Sequence, residues 1–279
     1  MGDYRMTKIE DIKLAQEYPD FERPEILMLS GGRDSSATLV KLLEDGTPPD
    51  YAVFTDTLHE FPEMYEYLKW LGEYLKRRFN FEITVIEPGC TFEDWAFTPI
   101  TRGERKGVIR GLPLTTVPCY WKREAKVYPF ERWAKKMGIK DYTQIIGYTY
   151  SELKRANVQA TNQRYPLIEW KMTERDVALF LKERSIDNKL YRNFTRTGCY
   201  FCPKQGVNSF YNIYKHHPDM WKKIKKYEKK ARKMKALNTR FSKHGTAKEF
   251  EKQFKIKDKD QQFEFEDKND ELDFCFCAI

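Results

Sequence analysis

Glu25-Ile-Leu-Met-Leu-Ser-Gly-Gly-Arg-Asp-Ser-Ser36 is the stretch from which the fold is read. It opens with an apolar run of strand length, Glu25 to Leu29. A turn from Ser30 to Ser36 follows, and Ala37, Val40 and Leu43 then fall on one face at helical spacing. Such a strand, glycine-rich turn and helix suit a phosphate. Gly31 and Gly32 open φ values closed to other residues and bring backbone N–H groups close to an anion. The helix N-terminus adds unpaired amides and the positive end of its dipole. Ser30, Ser35 and Ser36 supply hydroxyls, and Arg33 supplies a guanidinium for phosphate oxygens. The turn lacks the longer spacer and the Gly-Lys-Ser/Thr of a Walker A loop, and it is no dinucleotide fingerprint.

The alternation continues outward from that turn. Gly46-Thr-Pro-Pro49 breaks the helix and Tyr51-Ala-Val-Phe54 begins a second strand. From about Pro62 a helix carries Met64, Leu68, Leu71 and Leu75 on one face. Ile83-Thr-Val-Ile86 reads as a third strand, and Gln144-Ile-Ile-Gly147 as a fourth, after a helix with Val127, Phe130, Ala134 and Met137 on one side. Thr173-Glu-Arg-Asp176 starts a further helix, with Val177, Phe180 and Leu181 behind it. Strands alternating with helices predict an α/β fold: a Rossmann-like, doubly wound parallel sheet with right-handed crossovers and a helical C-terminal extension.

Composition bounds the rest. The chain has 279 residues, 41% of them hydrophobic with 19 Phe, 17 Tyr and 6 Trp, so disorder throughout is excluded. Fifty Lys and Arg against 42 Asp and Glu leave +8, which favours an anionic partner without naming one. No run approaches the roughly 18 apolar residues of a membrane span. The first residues show no secretory pattern, and six cysteines in a chain this long do not make a disulfide scaffold. These features point to a cytoplasmic protein whose cysteines serve metal binding or redox chemistry. Composition divides the chain into a polar lead-in (1–23), a nucleotide-binding domain (24–215), a basic helical extension (216–257) and an acidic tail (258–279). Lys222 to Lys235 carries nine bases against Glu228 alone, whereas Asp258 to Asp273 carries eight acids against two lysines.

Ser30-Gly-Gly-Arg-Asp-Ser35 resembles the PP-loop of the adenine-nucleotide α-hydrolase superfamily. Further segments are similar to those of its phosphoadenosine phosphosulfate (PAPS) reductase-like branch. They are Phe54-Thr-Asp-Thr-Leu-His-Glu-Phe-Pro-Glu63, Cys119-Tyr-Trp-Lys-Arg-Glu-Ala-Lys126, Ile146-Gly-Tyr-Thr-Tyr-Ser-Glu-Leu-Lys-Arg155, Pro166-Leu-Ile-Glu-Trp170 and Gly198-Cys-Tyr-Phe-Cys202, in the family's order. The resemblance implies a PP-loop ATPase-type fold that binds an adenine nucleotide, ATP with Mg²⁺. Members that split ATP between the α and β phosphates keep the loop intact, whereas the reductases usually carry a degenerate one. Here the loop is intact except that Arg33 takes the usual Lys place, keeping the charge but changing the geometry.

The resemblance therefore implies an ATP pyrophosphatase that adenylates a substrate for sulfur incorporation, with nucleic acid as one acceptor. By that likeness Arg33, Asp34, Asp56, Glu152 and Arg155 are the catalytic candidates. Ser30, Gly31, Gly32, Asp34, Ser35, Ser36, Thr55 and Gly147 are the nucleotide-binding candidates. Thr149 stands where the family has an arginine, which removes an anion contact. Cys119, Cys199 and Cys202 are spaced like the ligands of the family's 4Fe-4S members. Zinc, on Cys199 and Cys202 with His216, His217 or the terminal cysteines, is the alternative, and a metal-free protein a third reading. Cys90 reads as a small hydrophobe in a loop, and His59 as structural. A sulfur-donor protein, and a nucleic acid held on Lys222 to Lys235, are the implied partners. Arg102, Arg105, Lys106 and Arg110 read equally as a phosphate lid or as a solvated basic loop. Two other functions stay open: a thiol-dependent PAPS or adenylylsulfate reductase using Cys275 or Cys277, and a non-catalytic subunit binding nucleotide or nucleic acid.

Overall fold

A computed structural model describes residues 23–113, 119–157 and 159–259. Strand β1 (Glu25–Met28) is the spine, with Ile26 and Leu27 wholly buried. Helix α1 (Arg33–Glu44) follows the glycine turn and returns the chain to β2 (Tyr51–Thr55). Helix α2 (Pro62–Phe79) starts on proline, whose fixed φ suits a first turn, and leads to β3 (Ile83–Ile86). A short helix, α3 (Phe92–Phe97), comes next. A helical turn at Tyr120–Lys122 then widens into π winding over Arg123–Val127 before α4 (Tyr128–Lys136) and β4 (Thr143–Ile145).

Strand order is β3-β2-β1-β4-β5, all parallel, with β5 the two residues Gln163–Arg164. The period-2 geometry of β1 divides the core. Ile26 and Met28 pack with Phe130 and Ala134 of α4 on one face, whereas Leu27 and Leu29 face α1 and α2 on the other. From β1 the chain winds outward in both directions, so β1 and β4 flank the topological switch point. In open α/β sheets, ligands bind beyond the strand C-termini at that point.

Past a short helical stretch at Pro166–Glu169, the longer helices among the described residues are α5 (Glu174–Glu183), α6 (Val207–His216), α7 (Pro218–Lys233) and α8 (Ala247–Lys257). Thr173 caps α5 through the Asp176 amide, as the sequence predicts. Phe210, Trp221 and Phe254 belong to the same buried cluster as Leu27, so the last helices share the core of the sheet.

The structure departs from the sequence reading in places. Strand β4 begins at Thr143 and ends at Ile145, because Gly147 leaves the ladder to meet the glycine turn. Strand β5 carries no apolar run and shows no strand signal. Met137 is exposed rather than on the buried face, since α4 ends at Lys136. The acidic tail from residue 260 and the terminal cysteines lie outside the described residues. Among the described residues no helix is long and apolar enough to cross a membrane.

Candidate active site

A cleft of about 330 Å³ opens at the switch point. The loop after β1 forms one wall and the segment after β4 forms the other. The candidates Ser30, Gly32, Arg33, Asp34, Ser35, Gly147, Glu152 and Arg155 all line it.

The loop is held by its own hydroxyls. Ser35 Oγ accepts the Ser30 amide at 3.1 Å, Ser30 Oγ accepts the Gly32 amide at 3.2 Å, and the two hydroxyls stand 2.9 Å apart. Gly31 has φ +73, and a Cβ there would lie 2.4 Å from Met64 Sδ, so no other residue fits without displacement. Gly147 answers a different need. A Cβ on it would meet the Ser35 amide nitrogen at 2.9 Å, so glycine lets the β4 exit press on the loop.

Charge in the cleft is balanced: Asp34, Glu60, Glu152 and Glu174 face Arg33, Lys126, Arg155 and Arg196. Burial pushes the Asp34 carboxyl up to about 7, helped by the neighbouring Glu152 and Glu174 charges and opposed by Arg33 and Arg155. Glu152 is ion-paired with Arg155, whose guanidinium lies 4.4 Å from the Tyr148 ring centroid. Glu60 is buried and its carboxyl is raised by that burial, with Lys126 the main opposing influence.

Four of the candidate residues lie outside this lining: Gly31, Ser36, Thr55 and Asp56. Asp56 does not line this cleft: its Oδ1 accepts the Leu58 amide at 2.7 Å and the Tyr65 hydroxyl at 2.9 Å, with Leu58 at φ 60. The carboxylate is thus taken up by a tight turn and faces the groove beside α2. Thr55 is buried in the β2 ladder, and Ser36 is fully buried beside the Tyr67 phenol. Gly31 shapes the loop from outside the lining and gives its carbonyl to Asn188 Nδ2 at 3.1 Å.

The lid reading finds no support in position. Arg102, Arg105 and Lys106 are exposed, and Arg110 donates to the Trp95 carbonyl at 3.2 Å; none lines the cleft. His59 is buried against Phe92 and Phe201, with Nδ1 3.0 Å from the Thr57 carbonyl oxygen.

The cysteines gather on the far side of Gly198. The Cys199 thiol donates to Thr57 Oγ1 at 3.2 Å, and Thr57 in turn donates to Glu60 at 2.8 Å. Burial holds the Cys199 thiol well above its ordinary range and Cys202 at about 11, where Cys119 is near enough to add to the rise. Among the described residues, no three His, Cys, Asp or Glu side chains are grouped as a metal ion requires. In this arrangement the described cysteines do not fit a cluster. His217 is engaged with the rings of Phe61 and Phe194 and with Glu63. Cys90 packs on the core as a small hydrophobe.

Several lining residues were not singled out from the sequence. Glu60 and Lys126 end or lie within motif segments already quoted, and Thr195 to Thr197 directly precede Gly198-Cys199, so a signal was present. Glu174 sits in the first turn of α5 as an ordinary capping acid would. Tyr148 lies within the quoted segment Ile146 to Arg155, whereas Tyr191 carries no signal.

A family model described as the phosphoadenosine phosphosulfate reductase domain matches residues 25–205. The chain is 24% identical over 238 residues to the "Uncharacterized protein MJ0066" of Methanocaldococcus jannaschii. That match covers 80% of this chain but 45% of the relative, so the chain spans under half the length of that protein. Among solved structures, the phosphate complex of phosphoadenylyl-sulfate (PAPS) reductase from Candida auris matches at 16% identity and a TM-score of 0.44, covering 71% of this chain and 98% of that one.

Proposed function

The chain belongs to the phosphoadenosine phosphosulfate reductase domain family, and from that premise we propose that it is the ATP-splitting kind of member. In this reading the cleft binds ATP, an acceptor attacks the α phosphorus, and the bond from that phosphorus to the bridging oxygen breaks. Pyrophosphate leaves with the bonding pair, and the acceptor carries AMP until a sulfur nucleophile displaces it. The observation that carries the reading is the intact loop: Ser30, Gly32 and Ser35 are hydrogen-bonded into a cradle beside Arg33, Lys126 and Arg155.

Each residue has a task. The Ser30 and Ser35 hydroxyls and the loop amides orient phosphate oxygens. Arg33, Lys126 and Arg155 pair with the polyphosphate charge. Glu152 aligns Arg155. Asp34 fits Mg²⁺, because that cation is usually bound by one or two carboxylates together with substrate phosphates. When bound, Mg²⁺ neutralises charge on the departing pyrophosphate. The buried thiols of Cys199 and Cys202 are held protonated, which argues against them as sulfonucleotide-attacking nucleophiles.

The acceptor we favour is nucleic acid. Lys222, Lys226, Lys229 and Lys233 are exposed at helical spacing on α7, opposite buried Trp221, Ile224 and Ala231. The test is product analysis with ATP labelled at the α phosphate. AMP and pyrophosphate should form faster when RNA or DNA is added, and the stimulation should fall steeply with salt. Formation of ADP and phosphate, or sulfite release from PAPS with a thiol reductant, would overturn the reading.

A further inference from the structure

Tyr191 is a residue of the cleft that neither the loop motif nor the family resemblance predicts. It stands on a short 3₁₀ turn, Lys189–Arg192, that is tied to the glycine loop at two points. Asn188, just before the turn, donates to the Gly31 carbonyl at 3.1 Å. Tyr191 itself accepts the backbone amide of Arg33 on its phenolic oxygen at 3.1 Å.

That amide belongs to the first turn of α1, one of the donors a helix N-terminus offers to an anion. The Thr197 hydroxyl is hydrogen-bonded to the same phenolic group. The space beside this point is tight: a Cβ on Gly32 would meet the phenolic oxygen at 3.1 Å and Thr197 Oγ1 at 3.3 Å. The ring is also engaged, with the Arg33 guanidinium 4.0 Å from its centroid. One side chain thus carries the arginine that replaces the usual loop lysine and also places an oxygen where a phosphate oxygen would be bound.

We propose that Tyr191 is a positioning residue for Arg33 and a built-in competitor for phosphate: the ring holds the guanidinium over the cleft, and the hydroxyl must give up the Arg33 amide when a phosphate group enters. The inference rests on the nucleotide reading of this cleft. It sets the two parts of one side chain against each other, so their removal has effects of opposite sign. Taking away the hydroxyl frees the Arg33 amide for the ligand, and taking away the ring releases the arginine.

The experiment measures binding of inorganic pyrophosphate and of ATP to wild type, Tyr191→Phe, Tyr191→Ala and Arg33→Ala by calorimetry, with melting curves to verify folding. Tyr191→Phe should tighten pyrophosphate by about fivefold, the scale of one hydrogen bond no longer in competition. Tyr191→Ala should weaken it by about as much, through loss of the stacking surface. In an Arg33→Ala background, Tyr191→Ala should no longer weaken binding. ATP binding with Tyr191→Phe unchanged or weaker would overturn this inference and leave the nucleotide reading standing. Pyrophosphate binding with the predicted pattern, and no ATP binding, would do the reverse. Failure of the wild type to bind either ligand would overturn both.

Discussion

The Asp34 carboxyl lies among Glu152, Glu174, Arg33 and Arg155, and burial with the two acids brings it to about 7. Its folded value therefore exceeds the ordinary 3.8 of an exposed aspartate, so the folded state holds the proton more tightly. Stability then falls as pH rises between those two values and loses nothing further above the higher one. Asp34→Asn should raise the melting temperature at pH 8 and change it little near pH 4. Without Mg²⁺, ATP affinity should decline as pH rises through about 7, because a charged Asp34 faces the phosphates. In Asp34→Asn that decline should shrink to the part set by the titration of the terminal phosphate of ATP itself; an unchanged decline would place the titrating group elsewhere. A second residue-scale expectation concerns Cys199, whose thiol is engaged with Thr57 rather than grouped for a metal. Anaerobically purified wild type and Cys199→Ala should carry the same negligible iron. About four irons per chain, lost in the variant, would restore the cluster implied by the resemblance.

Two elements meet at the cleft, the loop into α1 and the β4 exit, and Gly147 is their point of contact. Gly147→Ala brings a methyl within 2.9 Å of the Ser35 amide and 3.0 Å of the Asp34 carbonyl carbon, where backbone on both sides has no room to yield. Nucleotide affinity should drop at least tenfold as the loop is pushed from its hydroxyl network, while the melting temperature falls by only a few degrees, because Gly147 is at the sheet's rim. Equal affinity in the variant would show that the loop adjusts freely. The strands were legible because the strands of a parallel sheet are buried on both faces and read as short apolar runs, as Glu25 to Leu29 and Tyr51 to Phe54 do. Strand β5 was not legible, since Gln163 and Arg164 join the sheet only by pairing with Gln144 and Ile145. The helix signal was equally partial: α4 ends before Met137 because periodicity alone does not mark a helix end.

At the scale of the whole molecule, the site is assembled from segments far apart in sequence. The loop half was legible because Ser30 to Ser36 are contiguous and carry their own chemistry. Asp56 stands outside the cleft lining, since its position just after β2 does not say which way its carboxylate turns. Tyr191 could not be seen, being 158 residues from the Arg33 amide it accepts. The basic helix α7 was legible as a charge run, but its inner face packs into the same core as the sheet through Trp221, Ile224 and Tyr227. The basic face of α7 and the cleft are thus held by one hydrophobic core. The central claim is that this cleft is built for ATP, and its most direct test is a side-by-side titration of the wild-type chain with Mg-ATP, PAPS and adenylylsulfate, with Gly147→Ala as the control. The account predicts that Mg-ATP binds at least tenfold tighter than either sulfonucleotide and that the variant loses this binding. Tighter binding of PAPS or adenylylsulfate would contradict it and return the chain to the reductase reading.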